Sequence, residues 1–285
     1  MDTIALVDKY PEADERVIAH QIVRSLGGPA AVAAIALARQ GIQTSLVGTI
    51  GDDADGNEIL HILKRENVDT SGITKTSEAT SGSVIVVSKS EKSRAISTRQ
   101  PISQIKPSES AIKSILSASW LHVDHVGIRQ LDAIGISRGN GPKISFDAGY
   151  GVKDFDAKKV DLFAPNDRQM LERYPDKSAE QATKFDSEQS QNIVATTKGS
   201  KGSVAYSSTD GLVKADPIKG EILSTLGAGD VFHGALLSQL IKGFNLEEAL
   251  YRANVIAGLS CRGLDGVSMI PTSVELENYL KGAAK

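Results

Sequence analysis

Ser224-Thr225-Leu226-Gly227-Ala228-Gly229-Asp230-Val231-Phe232-His233-Gly234-Ala235 sets three small residues before an aspartate and an apolar, helix-competent run after it. Small residues let backbone N–H groups come close to a ligand. If they open a helix starting near Ala228, those N–H groups and the positive helix end face one point. An anion bound there sits beside the Asp230 carboxylate. Donors for developing negative charge, with a base beside them for a hydroxyl nucleophile, suit phosphoryl transfer. The plainer alternative is a tight turn capping a helix.

Outward from this stretch, strand-like runs alternate with helix-period segments. Pro29 to Gln40 is alanine-rich, opens on proline and stops at Gly41, as a helix does. Thr44 to Ile50 reads as a buried strand and Asn57 to Arg65 as an amphipathic helix. Trp120 to Val126, Lys143 to Asp147, Val160 to Phe163, Asn192 to Thr197 and Ser203 to Tyr206 read as short strands. Helices are expected over Ala228 to Ile241, Leu246 to Cys261 and Ser273 to Leu280. Such alternation predicts an α/β fold, a mostly parallel sheet with helices on both faces. Ser83 to Ser88 and Arg94 to Thr98 form a hairpin that breaks the pattern. With the strand-like run Val17 to Val23, it predicts a small β-sheet lid, with strands from about 12–25 and 82–100. The whole of 1–285 reads as one domain.

Composition narrows the class. Hydrophobic content of 40% and charged content of 24% are ordinary for a globular protein. A formal charge of −3 argues against nucleic acid as a partner. No run is long and apolar enough to span a bilayer and no signal peptide is evident, so the expected location is cytoplasmic. The single cysteine, Cys261, excludes an intrachain disulfide and a multi-cysteine metal site. There is no Walker-type G-x-x-x-x-G-K-[ST] sequence.

A second constellation is Gly27-Gly28-Pro29-Ala30-Ala31-Val32-Ala33, followed by Val47-Gly48-Thr49-Ile50-Gly51-Asp52-Asp53-Ala54-Asp55-Gly56. The glycine pair permits close approach to a ligand, and the following helix presents N–H groups to it. Taken alone, it is also a glycine turn before a core helix.

Together these two motifs resemble the signatures of the ribokinase-like (PfkB) carbohydrate kinases, and the resemblance covers nearly the whole chain. It implies that Asp230 is the catalytic base and that Gly227, Ala228 and Gly229 form an anion hole beside Thr225. It implies that Gly27 and Gly28 line a sugar site and that Asp2 bonds sugar hydroxyls. Asp2 could equally be a frayed terminal residue. The family's first strand precedes that aspartate, so either the start lies upstream of Met1 or something else fills the gap. Ala31 stands where most members carry asparagine. Phe163-Ala164-Pro165-Asn166-Asp167 resembles the family's P-N-x-x-E near metal and phosphate, with Gln169 in place of the glutamate; no metal ligand is assigned. Thr197, Gly199 and Gly202 fall in a turn over the nucleotide, and Asn254 on a helix bordering the adenine. ATP and Mg²⁺ are the implied cofactors.

The Gly-Gly-Pro-Ala-Ala and Gly-Asp-Val-Phe-His-Gly-Ala runs look most like those of bacterial sulfofructose kinases. That likeness makes a ketohexose derivative such as 6-deoxy-6-sulfofructose the expected acceptor. Arg16, Arg94 and Arg99 are the candidate sulfonate or phosphate contacts, because guanidinium matches such anions with a planar fork; exposed lid arginines are the alternative. Ribokinase, fructokinase and nucleoside kinase activities are rival readings. A non-catalytic sugar- or nucleotide-binding protein is a further one. Lid edges can pair between subunits, so a homodimer through the lid is expected. His122 and His125 read as core or pocket-wall residues.

Overall fold

The computed structural model describes residues 1–99, 105–149 and 154–283. Four parallel strands form the heart of the main sheet: β7 (Trp120–Val123), β8 (Lys143–Asp147), β9 (Leu162–Ala164) and β10 (Ile193–Thr197). Two antiparallel strands, β11 (Ser203–Ser207) and β12 (Gly211–Ala215), extend it to the order β12-β11-β10-β9-β8-β7.

Alternation along these strands sends neighbours to opposite faces. Leu162 and Ala195 join one buried cluster, while the adjacent Phe163 and Val194 join another. The first cluster takes residues of α1 (Pro29–Arg39), α6 (Ala228–Ile241) and α7 (Leu246–Ser260), among other helices. The second takes Ile115 of α3 (Glu109–Ser117), Met170 of α4 (Asp167–Arg173) and Ala182 of α5 (Ala179–Ser190). The expected layering, helices on both faces, is thus observed. α6 is buried continuously from Val231 to Gln239, which is why its sequence is apolar on every side.

β3 (Thr44–Gly51) and β4 (Val68–Thr76) form a separate parallel pair joined by α2 (Ala54–Arg65). The sequence reading has no β4, because Val-Asp-Thr-Ser-Gly-Ile-Thr-Lys-Thr is polar and half-buried rather than apolar. Among the described residues the edges of β3 and β7 have no partner strand facing one another. Residues of both line one cavity, with Met1 and Asp2 also in its wall.

The lid is a four-stranded sheet of β1 (Asp2–Val7), β2 (Gln21–Ser25), β5 (Ser83–Ser88) and β6 (Ser93–Thr98), in the order β2-β1-β5-β6. Asp2 is the first residue of a lid strand. One expectation is corrected. The run Val17 to Val23 is not a strand as a whole; pairing starts at Gln21. Pro11 and the charged residues around it leave the preceding segment without a pleated pattern or a full set of donors.

Register decides which lid residues look inward. Asp2 pairs with Ser83 and Ser83 with Thr98; Leu6 pairs with Val87 and Val87 with Arg94. These rows share one face, on which Ile4, Leu6, Ile85 and Val87 are buried with Leu264. The opposite face carries Ala5, Val86 and Ala95 with the exposed side chains of Ile22 and Val84.

Candidate active site

Parallel strands deliver their C-terminal ends to one edge of the sheet, where ligands bind in such folds. Here Asp147 ends β8, Asn166 follows β9 and Thr197 ends β10. A cavity of about 1810 Å³ opens at this edge beneath the lid and continues along β3 and β7 as far as Thr44 and Trp120. Asp2, Gly27, Gly28, Ala31, Arg94, Asn166, Thr197, Gly227, Gly229 and Asp230 all line it.

Gly227 is the N-cap of α6 with φ 72°, the left-handed region that glycine enters freely, and no side chain caps the helix. A Cβ there would lie 2.8 Å from the Gly266 Cα, so backbone packs on backbone. The Ala228 N–H turns back to Thr225 O at 3.3 Å, and the Val231 N–H bonds Gly227 O at 2.9 Å. Among the described residues the N–H groups of Gly227, Gly229 and Asp230 have no acceptor. Those three N–H groups are open at the start of α6, whereas that of Ala228, expected beside Gly227 and Gly229, is turned to Thr225. Arg94 Nη1 donates to Thr225 Oγ1 at 3.1 Å and ties the lid to the mouth of the hole.

Asp230 sits half-buried in the first turn of α6, on the cavity wall. Burial pushes its carboxyl up to about 7, and the neighbouring Asp147 charge adds to the rise, while His233 and Arg94 oppose it. A carboxyl poised near neutrality can take a proton from a hydroxyl.

Asp147 and His233 form a buried pair behind Asp230, Oδ2 to Nδ1 at 2.9 Å. Sequence reasoning missed both. The signals were present: Asp147 ends a buried strand at the ligand edge, and His233 lies three residues after Asp230 on the same helix face. His122, Asp147 and His233 each offer a ligating atom within 4.8 Å of the others. Two of these three groups are taken up in the 2.9 Å ion pair of His233 with Asp147, and no metal is assigned to the trio.

At the other end, burial raises the Asp2 carboxyl above its ordinary range although Ser83 bonds it. Gly27 lies against that carboxylate so closely that an added Cβ would overlap it. Gly27→Ala is expected to displace Asp2 and raise the acceptor KM several-fold, with little change in kcat; steady-state kinetics at varied acceptor checks this.

Several expected contacts are not brought to the cavity. Arg16 is exposed in the segment between β1 and β2 and does not line it. Arg99 follows the inward-facing Thr98 and therefore turns away, donating to Thr80 O. The Asn254 amide donates to Ala215 O at 2.9 Å and Asp216 O at 3.1 Å, and accepts from Ser203 Oγ at 3.0 Å. It clamps α7 to the β11–β12 region instead of meeting a ligand. Gly199 and Gly202 form the turn after β10, where Lys198 N–H bonds Gly202 O at 2.7 Å, and neither lines the cavity. Asn166 caps α4 in a reciprocal box: Gln169 N–H donates to its Oδ1 at 2.9 Å, and Asn166 N–H donates to Gln169 Oε1 at 2.8 Å. The Gln169 Nε2 donates to Gly149 O, a bond that glutamate could not make.

The chain is similar to known kinases over nearly its whole length. The chain is 25% identical to a mouse (Mus musculus) ribokinase over 96% of its own length and 90% of that protein's. It is 26% identical to an ATP-dependent ribose-1-phosphate kinase of Halopiger xanaduensis over 98% and 94%. The Arabidopsis thaliana ribokinase solved with ribose and ATP superposes with a TM-score of 0.81 at 20% identity, covering 98% of this chain and 95% of that one. A Methanocaldococcus jannaschii nucleoside kinase superposes with a TM-score of 0.79 at 20% identity, covering 99% and 95%. The family profile of the pfkB carbohydrate kinases matches residues 1–273. With nearly the full chain matched and a carboxyl facing open helix amides, this protein belongs to the pfkB family of carbohydrate kinases and is a sugar or nucleoside kinase of that family.

Proposed function

We propose that the protein transfers the γ-phosphoryl group of ATP to a hydroxyl of a ribose- or ketohexose-sized sugar. The observation that carries this reading is the placement of Asp230 beside three open amides on one cavity wall, with Asp2 and Gly27 on the same cavity. Asp230 takes the hydroxyl proton as the new O–P bond forms and the bond to ADP breaks. The Gly227, Gly229 and Asp230 amides receive charge on the transferred group. Asn166 and Thr197 line the side left for the nucleotide. Mg²⁺ would screen the nucleotide phosphates. Asn166 and Gln169 fit it poorly as direct ligands, because the α4 cap engages both amides.

The sulfonated ketohexose of the sequence reading keeps one cationic contact on the cavity wall, Arg94. Since that guanidinium lies against Thr225 beside the hole, an uncharged sugar suits the acceptor end better. A coupled ADP-release assay with ribose, fructose, 6-deoxy-6-sulfofructose, fructose 6-phosphate and nucleosides tests the reading. Turnover that requires a neutral sugar supports it. Turnover only with a sulfonated or phosphorylated sugar moves the acceptor to the anionic class, and ligand binding without ADP release indicates a non-catalytic scaffold.

We also propose that two copies pair through the outward lid face, where Ile22 is 66% and Val84 59% exposed. Light scattering after size exclusion is expected to give a dimer for the wild type and a monomer for Ile22→Lys with Val84→Lys. A wild-type monomer at micromolar concentration refutes the pairing.

A further inference from the structure

Behind the proposed base lies a cluster that the reaction as written does not use. Asp147 comes from β8, His233 from α6 and His122 from β7, so three elements converge on one point. The Asp147 and His233 side chains are only 6% and 8% exposed. The Asp230 side chain neighbours that of Asp147, and two neighbouring carboxyl groups do not readily both ionise unless a cation accompanies them. His233 supplies that cation: burial disfavours its charge, yet the Asp147 carboxylate outweighs this and raises it. Burial likewise opposes ionisation of Asp147, and His233 outweighs it, so Asp147 is held below the ordinary carboxylate range. The Gly149 N–H, donating to Asp147 Oδ1 at 2.9 Å, adds to this.

His122 completes the cluster as a neutral wall. Its ring lies 6.1 Å from that of His233, and burial, then the His233 charge, lower it to about 4. The Nδ1 meets Ser145 Oγ at 3.1 Å, which orients the ring. From the lid, Arg94 is the charged group facing Asp230.

We propose that Asp147 and His233 are positioning residues for Asp230: the fixed Asp147 carboxylate receives the hydrogen bond of the Asp230 carboxyl after it takes the acceptor's proton, and His233 keeps Asp147 charged in the interior. The proton balance closes without a further reactant. It leaves the sugar hydroxyl, resides on Asp230 facing Asp147, and passes to solvent when product departs. Asp147 and His233 act in opposite senses. Asp147 makes Asp230 a stronger base, and His233 moderates that effect.

This inference uses the kinase reading for its purpose, but its test does not need turnover. The Asp230 carboxyl, labelled with carbon-13 and assigned by its loss in Asp230→Asn, is titrated by NMR in the intact protein. The wild-type midpoint is expected near 7. Asp147→Asn is expected to move it down by about one pH unit or more, and His233→Asn to move it up. A merely structural role would lower thermal stability without opposed shifts. The acid limb of kcat/KM is expected to move with the same signs. A wild-type midpoint near 4 overturns the proposal without recourse to any variant. So do variants whose midpoints stay still or move the same way. Opposed NMR shifts with no turnover on any sugar would uphold this inference and refute the kinase reading instead.

Discussion

Asp230→Asn is expected to lower kcat by about 10²–10⁴-fold while leaving ATP affinity within a few-fold of wild type, measured by steady-state turnover and calorimetric titration. Asparagine keeps the shape and can still bond Asp147, but it cannot accept the hydroxyl proton. The loss separates two contributions. The open amides of Gly227, Gly229 and residue 230 remain, so phosphate positioning survives while the base is gone. Wild-type turnover in this variant would remove Asp230 from the chemistry.

The same substitution carries a stability signature. The Asp230 carboxyl stands at about 7 in the folded protein, above its unfolded value. A raised folded value gives stability that is complete below the unfolded value and is lost as pH rises through the folded one. The wild type therefore holds a penalised charge at pH 8 that Asp230→Asn lacks. The variant is expected to melt above the wild type at pH 8, with the gap closing as pH falls through 7 towards 4. Thermal melts across that range check the sign.

Gly227→Ala is expected to lower kcat by about 10²–10³-fold, the size of losing one donor to the transferred group. Alanine at φ 72° is disfavoured by roughly 1–2 kcal/mol. Its Cβ would also stand 2.8 Å from the Gly266 Cα, where no flexible side chain can yield. Relief requires the N-terminus of α6 to shift, and that shift misaligns the amides. Circular dichroism is expected to remain native, with a melting temperature lowered by a few degrees. Unchanged kcat would show that these amides do not meet the transferred phosphoryl group.

Much of the fold was legible because its signals are local. The α6 span follows from glycine, aspartate and an uninterrupted apolar run; β8 follows from Lys143 to Asp147. Gly27, Gly28 and Asp230 were readable as candidates because close approach and proton transfer each demand particular side chains, and all three line one cavity. Arg99 could have been set aside from the sequence too, since strand periodicity places it out of phase with Arg94. Asn254 could not, because its amide is engaged by carbonyls of Ala215 and Asp216, 39 and 38 residues away. Arg16 was misplaced for a similar reason: nothing local says which way a segment between two lid strands runs.

The sequence by itself carried the reaction class, through the resemblance that its two glycine-containing motifs bear to the pfkB signatures. It also determined the layering, because strand and helix periods alternate along the chain. Tertiary structure alone decided which helix-start amides stay open, turning that of Ala228 to Thr225 and leaving that of Asp230 without an acceptor. It alone brought Asp147, His233 and His122 behind the base from three separate elements. Periodicity fixes the face on which a residue lies, whereas the charge it meets there depends on packing between distant parts of the chain.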